Sequence, residues 1–263
     1  MGRRVALITG ASAGIGAAFA EVFAAEGFDV VLVARREDRL QALAARLRDA
    51  HGVTAHAVAA DLAEPGASDR ILAELAARGI HVDALVNNAG YGVPGAYLRS
   101  PWERHDAMLR VMVTSVTELT HRLLPPMLGK GYGRIINVAS LAGLVPAPGG
   151  HTLYAATKAF LIKFSEALGH EVRGKGVHVT ALCPGFTYSE FHDVTGTREQ
   201  MKRLPSWLWM EAAAVAREGY DAVMAGVPVH VNGRVNRTIA TLVKVAPNWL
   251  IRAVERRLGH RKL

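Results

Sequence analysis

At 263 residues the chain is long enough to bury one large α/β core, and half of it is hydrophobic while only 6% is aromatic, which suits Ala- and Gly-rich helices packed closely on a sheet. The single cysteine, Cys183, excludes an intramolecular disulfide framework and fits a reducing compartment, so a cytoplasmic location is expected. The net charge of +8 raises nucleic acid or an anionic membrane as partners, but the excess sits late, where Lys244, Arg252, Arg256, Arg257, Arg261 and Lys262 face the one acid Glu255.

The run Val5 to Thr9 reads as a first strand, too short for the apolar core of a signal peptide. Gly10-Ala-Ser-Ala-Gly14-Ile-Gly16 comes next, then an Ala-rich helix to about Glu26. Glycines at such a turn let the backbone bend sharply and approach a ligand. The helix N-terminus behind them offers free N–H groups and partial positive charge to a diphosphate. Asp29 to Ala34 is a second strand, with Arg35 and Arg36 directly after it. An acid at that point suits a ribose 2′-hydroxyl, whereas arginine suits a 2′-phosphate, so NADP is expected over NAD. The arginines also read as the solvated opening of a helix from Glu37 to Ala50.

A third strand ends in Ala59-Ala60-Asp61-Leu62, a helix runs from Pro65 to about Ala77, and Ala84-Leu85-Val86 leads into Asn87-Asn88-Ala89-Gly90. The strand Ile135 to Ala139 leads to Ser140, and a Pro/Gly-rich loop leads to a helix that begins near Tyr154. Regular alternation of strand and helix predicts a parallel, doubly wound sheet of the Rossmann type in a single domain spanning 1–263. Its ligands belong at the carboxyl ends of strands, where Thr9-Gly10, Arg35, Asp61, Asn88 and Ser140 all stand.

Tyr154 and Lys158 are four residues apart and share a helix face. A phenol with a pKa of about 10 is a poor proton carrier at neutral pH, and a nearby ammonium favours the phenolate. A shift toward 7 requires about 4 kcal/mol of differential stabilisation, within reach of a close cation. Ser140 is positioned by sequence to hydrogen-bond a substrate carbonyl.

With T9-G-A-S-A-G-I-G16, D61-L62, N87-N-A-G90, S140, Y154-A-A-T-K158 and P184-G185 in this order, the chain resembles the short-chain dehydrogenase/reductase family over almost its whole length. The resemblance implies that Gly10, Ser12, Gly14, Ile15 and Gly16 cradle a cofactor diphosphate, and that Arg35 and Arg36 hold the 2′-phosphate of NADPH. It places Asp61 and Leu62 at the adenine and Asn88, with Ala89 and Gly90, at the cofactor ribose. It makes Tyr154 the proton donor in reduction, has Lys158 bind the nicotinamide ribose and lower the Tyr154 pKa, and has Ser140 orient the carbonyl. Pro184, Gly185 and Thr187 would fix the nicotinamide, with Ser189 near its carboxamide or the diphosphate. The implied activity is that of an NADPH-dependent carbonyl reductase, reversible as an alcohol dehydrogenase, assembled as a homodimer or homotetramer. No metal is implied.

Two features depart from the family pattern. Met112 stands where many members carry an asparagine that supports a water chain to the lysine, and methionine cannot replace its hydrogen bonds. Ser140 and Tyr154 are fourteen apart instead of thirteen, with the extra residue assigned to the Pro146–His151 loop at the substrate entrance.

The stretch 186–212 reads as a helical substrate lid with an apolar contact surface. Phe186, Phe191, Trp207 and Trp209 are its candidate substrate contacts, with His151 of the Pro146–His151 loop beside them. Pocket lining and plain packing are both open for the tryptophans. If they line the pocket, the ketone is bulky and apolar, of the 3-oxoacyl, steroid or aryl kind. The basic tail, about 242–263, spaces Leu250, Ile251, Val254 and Leu258 on one helical face, which suits peripheral membrane contact or packing against protein. No nucleic-acid motif is present. A catalytically weak nucleotide-responsive binding or scaffold protein of the same fold is the alternative reading.

Overall fold

Strand β1 (Val5–Thr9) is buried along nearly its whole length, and its side chains alternate between two cores. Ala6 and Ile8 point into one, Leu7 into the other, as the two-residue period of a strand requires when both faces are covered. Strand β2 (Asp29–Ala34) repeats the arrangement, with Val30 and Leu32 on the first side and Val31 and Val33 on the second. The computed structural model describes residues 2–147, 149–150, 152–190, 205–247, 249 and 251.

Five further strands join them: β3 (Ala55–Ala59), β4 (Ala84–Asn87), β5 (Gly133–Val138), β6 (Val177–Cys183) and, last in the chain, β9 (Val229–Val231). All neighbours pair in parallel, in the order β3-β2-β1-β4-β5-β6-β9. Among the helices are α1 (Gly14–Ala25), α2 (Glu37–His51), α3 (Ala67–Ala77), α4 (Trp102–Leu109), α5 (Ser115–Lys130) and α6 (Thr152–Glu171). After the lid region come α7 (Ala212–Met224) and α8 (Arg234–Val245). Phe19 and Phe23 of α1, Leu40 and Leu47 of α2, and Val215 and Val223 of α7 fill the first core. Ile71 and Leu75 of α3, Leu119 and Met127 of α5, and Leu168 of α6 fill the second. This is the expected doubly wound α/β domain.

The chain runs outward from β1 to β3 and then returns to place β4 on the other side of β1. That reversal is the switch point of such a sheet, and it opens a crevice at the carboxyl ends of β1 and β4. The helices between successive strands of the sheet deliver the chain back to the amino ends, so the loops after the strands are the ones free to carry function.

Several boundaries differ from the sequence reading. α2 continues to His51 because Gly52, with φ at 63°, supplies its left-handed cap. The segment Arg110–Thr114, between α4 and α5, is a π-helical turn, and it carries Met112. The pattern over 186–212 predicts a helical lid. The described ends of that stretch are two short strands, β7 (Phe186–Tyr188) and β8 (Trp209–Glu211), paired in parallel, with a 3-10 turn at Ser206–Leu208 before β8. Residues 191–204, and with them Phe191, lie outside the described residues, as does His151. The basic tail begins within α8, and most of its residues past 247 also lie outside the described set. Among the described residues no helix is long and apolar enough to cross a membrane.

Candidate active site

The crevice begins at the turn between β1 and α1. Gly10 has φ at 66° and Gly14 has φ at 55°, in the left-handed region that glycine enters without a steric cost. Gly16 is held tighter still: a Cβ on it would overlap Gly10 O and stand 2.5 Å from Asn88 Nδ2. The turn is sewn to β4 from the other side. Thr9 Oγ1 accepts the N–H groups of Asn88 and Ala89 at 3.0 and 3.1 Å, and Asn88 Nδ2 donates to Thr9 O at 2.9 Å. Asn88 therefore works first as a brace between the two strand ends at the switch point.

α1 starts with Ala13 at its N-cap, which has no side chain to accept from the helix, and its first turn holds no acid. The N-cap residue therefore takes up none of the first N–H groups of the helix, and together with its dipole they suit an anion such as a dinucleotide diphosphate. The Ile15 side chain packs on the first core, so only its backbone is left to the turn. Gly16→Ala is expected to destabilise the fold by about 1–3 kcal/mol and to abolish nucleotide binding, since the clashing atoms are backbone and a braced amide. Thermal unfolding and nucleotide titration of the variant check this, and native-like binding would show that the turn yields.

Beyond β2 the two arginines part. Arg35 is exposed and stands 3.9 Å from Asp61 at the end of β3, so it faces the edge of the crevice. Arg36 folds back onto Ser12, with Nη2 donating to Ser12 Oγ at 2.9 Å. Asp61 also accepts the Ala63 N–H at 2.9 Å, which fixes its carboxylate at the strand end. Leu62, expected at the adenine, is buried in the second core.

Ser140, Tyr154 and Lys158 converge at the carboxyl end of β5. The Ser140 hydroxyl is hydrogen-bonded to the Tyr154 phenol, and its Oγ also accepts the Ala142 N–H at 3.1 Å. Pro184 O takes the Leu141 N–H at 2.9 Å, which ties the serine's loop to the segment after β6. Lys158 is buried behind the pair. Its Nζ donates to Val138 O at 2.6 Å and stands 5.6 Å from the centre of the Tyr154 ring.

The electrostatics differ from the expected phenolate. Burial pushes Tyr154 up to about 12, against a smaller pull from the Ser140 hydrogen bond. Burial pushes Lys158 down to about 8, with the neighbouring Cys183 acting weakly the other way. Desolvation disfavours the charged form of each, and the ammonium is turned onto a backbone carbonyl instead of the phenol oxygen. The Tyr154 phenol is thus held in its protonated form across the physiological range. Cys183, buried at the end of β6, is itself pushed up to about 12 and stays a thiol.

The remaining positions divide between the crevice wall and the packing behind it. Met112 is buried on the π-helical turn, and a Cβ on Gly90 would stand 3.4 Å from its Cγ, so the methionine fills the space under the Asn87–Gly90 turn. Thr187 is buried and donates to Gly185 O at 3.2 Å. Ser189 lies over the glycine turn: a Cβ on Gly14 would stand 2.9 Å from Ser189 Cβ. Trp209 stacks on Tyr188 at 4.9 Å and leans on Phe186 at 5.6 Å, so packing across β7 and β8 occupies it, whereas Trp207 is 65% exposed. Sequence reasoning passed over the bracing role of the Thr9 hydroxyl, and over Arg39 and Glu190; the last two form an ion pair at 2.6 Å across 151 residues of chain.

Sheet, crevice and the serine–tyrosine–lysine cluster define a nucleotide-linked oxidoreductase of the doubly wound class. The family model for short chain dehydrogenases matches residues 4–200, and the chain belongs to that family. It is 36% identical over 181 residues to a 7beta-hydroxysteroid dehydrogenase of Collinsella aerofaciens, covering 69% of this chain and 68% of that one. A solved 7beta-hydroxysteroid dehydrogenase superposes with a TM-score of 0.85 at 27% identity, over 97% of this chain and 96% of the other. A short-chain dehydrogenase from Sphingobium yanoikuyae, solved in complex with NADPH, superposes with a TM-score of 0.81 at 31% identity, over 99% and 98%.

Proposed function

We propose that this protein is an NADPH-dependent carbonyl reductase, reversible as an alcohol dehydrogenase, acting on a bulky, largely apolar ketone. The observation that carries the reading is the Ser140–Tyr154 hydrogen bond over the buried Lys158, at the strand ends beside the glycine turn. The nicotinamide, when bound, supplies the hydride. The chain's own part is to bind, to orient and to move a proton. Tyr154 donates its phenolic proton to the oxygen of the carbonyl as charge develops there. Ser140 hydrogen-bonds the same oxygen and holds it in line with the phenol. Lys158, close to half protonated at a pH near 8, offers a cation to the tyrosine oxygen and to ribose hydroxyls once it leaves Val138 O.

Gly10, Ser12, Gly14, Ile15 and Gly16 are assigned to the diphosphate, and Arg35 and Arg36 to a 2′-phosphate, on the strength of the uncapped, acid-free start of α1 and the cations after β2. The NADPH complex of the Sphingobium protein and the hydroxysteroid specificity of the Collinsella relative support the choice of cofactor and of a bulky substrate. The test is nicotinamide consumption with NADPH and separately NADH over steroid, medium-chain 3-oxoacyl and aryl ketones. A preference for NADPH of about tenfold or more is expected from charge-assisted bonds to one phosphate. Preference for NADH would remove the role given to the arginines. Tight nucleotide binding without turnover on any ketone would favour the scaffold reading instead.

A further inference from the structure

Glu190 lies two residues past β7, next to Ser189 and far in sequence from α2, yet its carboxylate is clamped at the start of that helix. Oε2 accepts from Arg36 Nη1 at 2.9 Å and Oε1 from Arg39 Nη1 at 2.6 Å. Arg36 meanwhile spends Nε and Nη2 on Ser12 Oγ, at 3.3 and 2.9 Å. Both guanidiniums and the carboxylate are about 40% exposed, so the cluster stands at the mouth of the crevice, where a ligand can reach it. Ser189, pressed against Gly14, shows how the backbone gets there: the segment after β7 crosses the glycine turn and brings one anion to the cations beyond β2.

A carboxylate held between two arginines at this place has the chemistry of the group that one of them, Arg36, is assigned to bind. We propose that Glu190 is an internal counter-anion that competes with the 2′-phosphate of NADP(H) for Arg36 and Arg39, and so sets how strongly the protein separates NADP(H) from NAD(H). The inference rests on the cofactor reading above and adds Arg39 to the arginines concerned.

The physical consequence is selective. A 2′-phosphate carries about −1.5 to −2 charges against one for a carboxylate, so it displaces Glu190, but its apparent affinity falls by the fraction of molecules in which the clamp is closed. A ribose with a free 2′-hydroxyl has no use for either guanidinium and competes with nothing. The two arginine bonds hold the Glu190 carboxyl below the ordinary carboxylate range, so it remains an anion, and a competitor, at neutral pH.

Glu190→Gln keeps the shape of the side chain and removes its charge. Titration of the intact protein with NADP+, NAD+ and adenosine 2′-monophosphate reads the effect without turnover. The variant is expected to bind NADP+ and adenosine 2′-monophosphate about 1.5- to fivefold more tightly, the range for a partly exposed ion pair, and NAD+ with unchanged affinity. The gain should shrink at about 1 M salt, where the screening length is roughly 3 Å. It should also shrink in an Arg39→Gln background, because the two changes act on one interaction. Unchanged NADP+ affinity in the variant, with a wild type that prefers NADP+, overturns the proposal and spares the cofactor reading. Weakened NAD+ binding with NADP+ untouched overturns it too, and makes Glu190 a ribose-hydroxyl acceptor. A wild type that prefers NAD+ overturns the cofactor reading, and tighter adenosine 2′-monophosphate binding by the variant would then still support the competition.

Discussion

Tyr154→Phe is expected to leave nucleotide affinity within about twofold of wild type while cutting turnover by about 10²- to 10⁴-fold, the usual contribution of a positioned general acid. The substitution removes one oxygen and keeps the ring, which packs beside the second core. Ser140 retains its bond from the Ala142 N–H, so the loop after β5 has no reason to move. A fall of less than about tenfold would mean that the proton comes from another donor. The pH dependence of kcat/KM gives a second reading of the same site, because it reports groups of the free protein. Tyr154, pushed up to about 12, remains a protonated donor throughout the accessible range. An alkaline fall in the reductive rate near pH 8 is therefore expected from Lys158 losing its charge and not from the tyrosine.

That assignment could not be drawn from the sequence, although the residues could. Apolar runs alternating with amphipathic segments made the strand ends legible, and a strand end is where each of Gly10, Arg35, Asp61, Asn88 and Ser140 is expected and is found. The four-residue spacing puts Tyr154 and Lys158 on one helix face but carries no information on which acceptor the ammonium chooses. It chooses Val138 O, and the phenol's upward shift comes from burial, against a smaller pull from the Ser140 hydrogen bond. β7 and β8 escaped for another reason. Three-residue strands have no period to detect, and their pairing of Phe186 with Trp209 joins segments more than twenty residues apart. The Glu190–Arg39 contact, closed through the tertiary fold, has no local signature at all. The motif places Leu62 in the chain, and its apolar side chain goes to the second core, so any contact it makes at the adenine falls to its backbone.

Lys158→Met is expected to abolish turnover and yet to make the cofactor-free protein more stable at neutral pH. Burial depresses the folded-state pKa of this lysine to about 8, against about 10.4 for an unfolded chain. The unfolded state therefore holds the proton more tightly. Wild-type stability is reduced in full below pH 8, rises as pH climbs from about 8 to about 10.4, and is free of the penalty above that. The difference of a little over two units corresponds to about 3 kcal/mol at neutral pH. Methionine has nearly the same length and no charge to desolvate, but it forfeits the bond to Val138 O, worth about 1 kcal/mol. A net gain of about 1–2 kcal/mol remains, which for a chain of this size raises Tm by a few degrees. Unfolding curves at successive pH values test it: the variant's advantage should be greatest below pH 8 and should close, or reverse, by about pH 10. A variant less stable than wild type at pH 7, with a gap that does not depend on pH, would show that the buried ammonium is solvated from within. The expected outcome makes Lys158 a residue kept at the expense of the fold, and a buried cation retained on those terms is best explained by what it does for the tyrosine beside it.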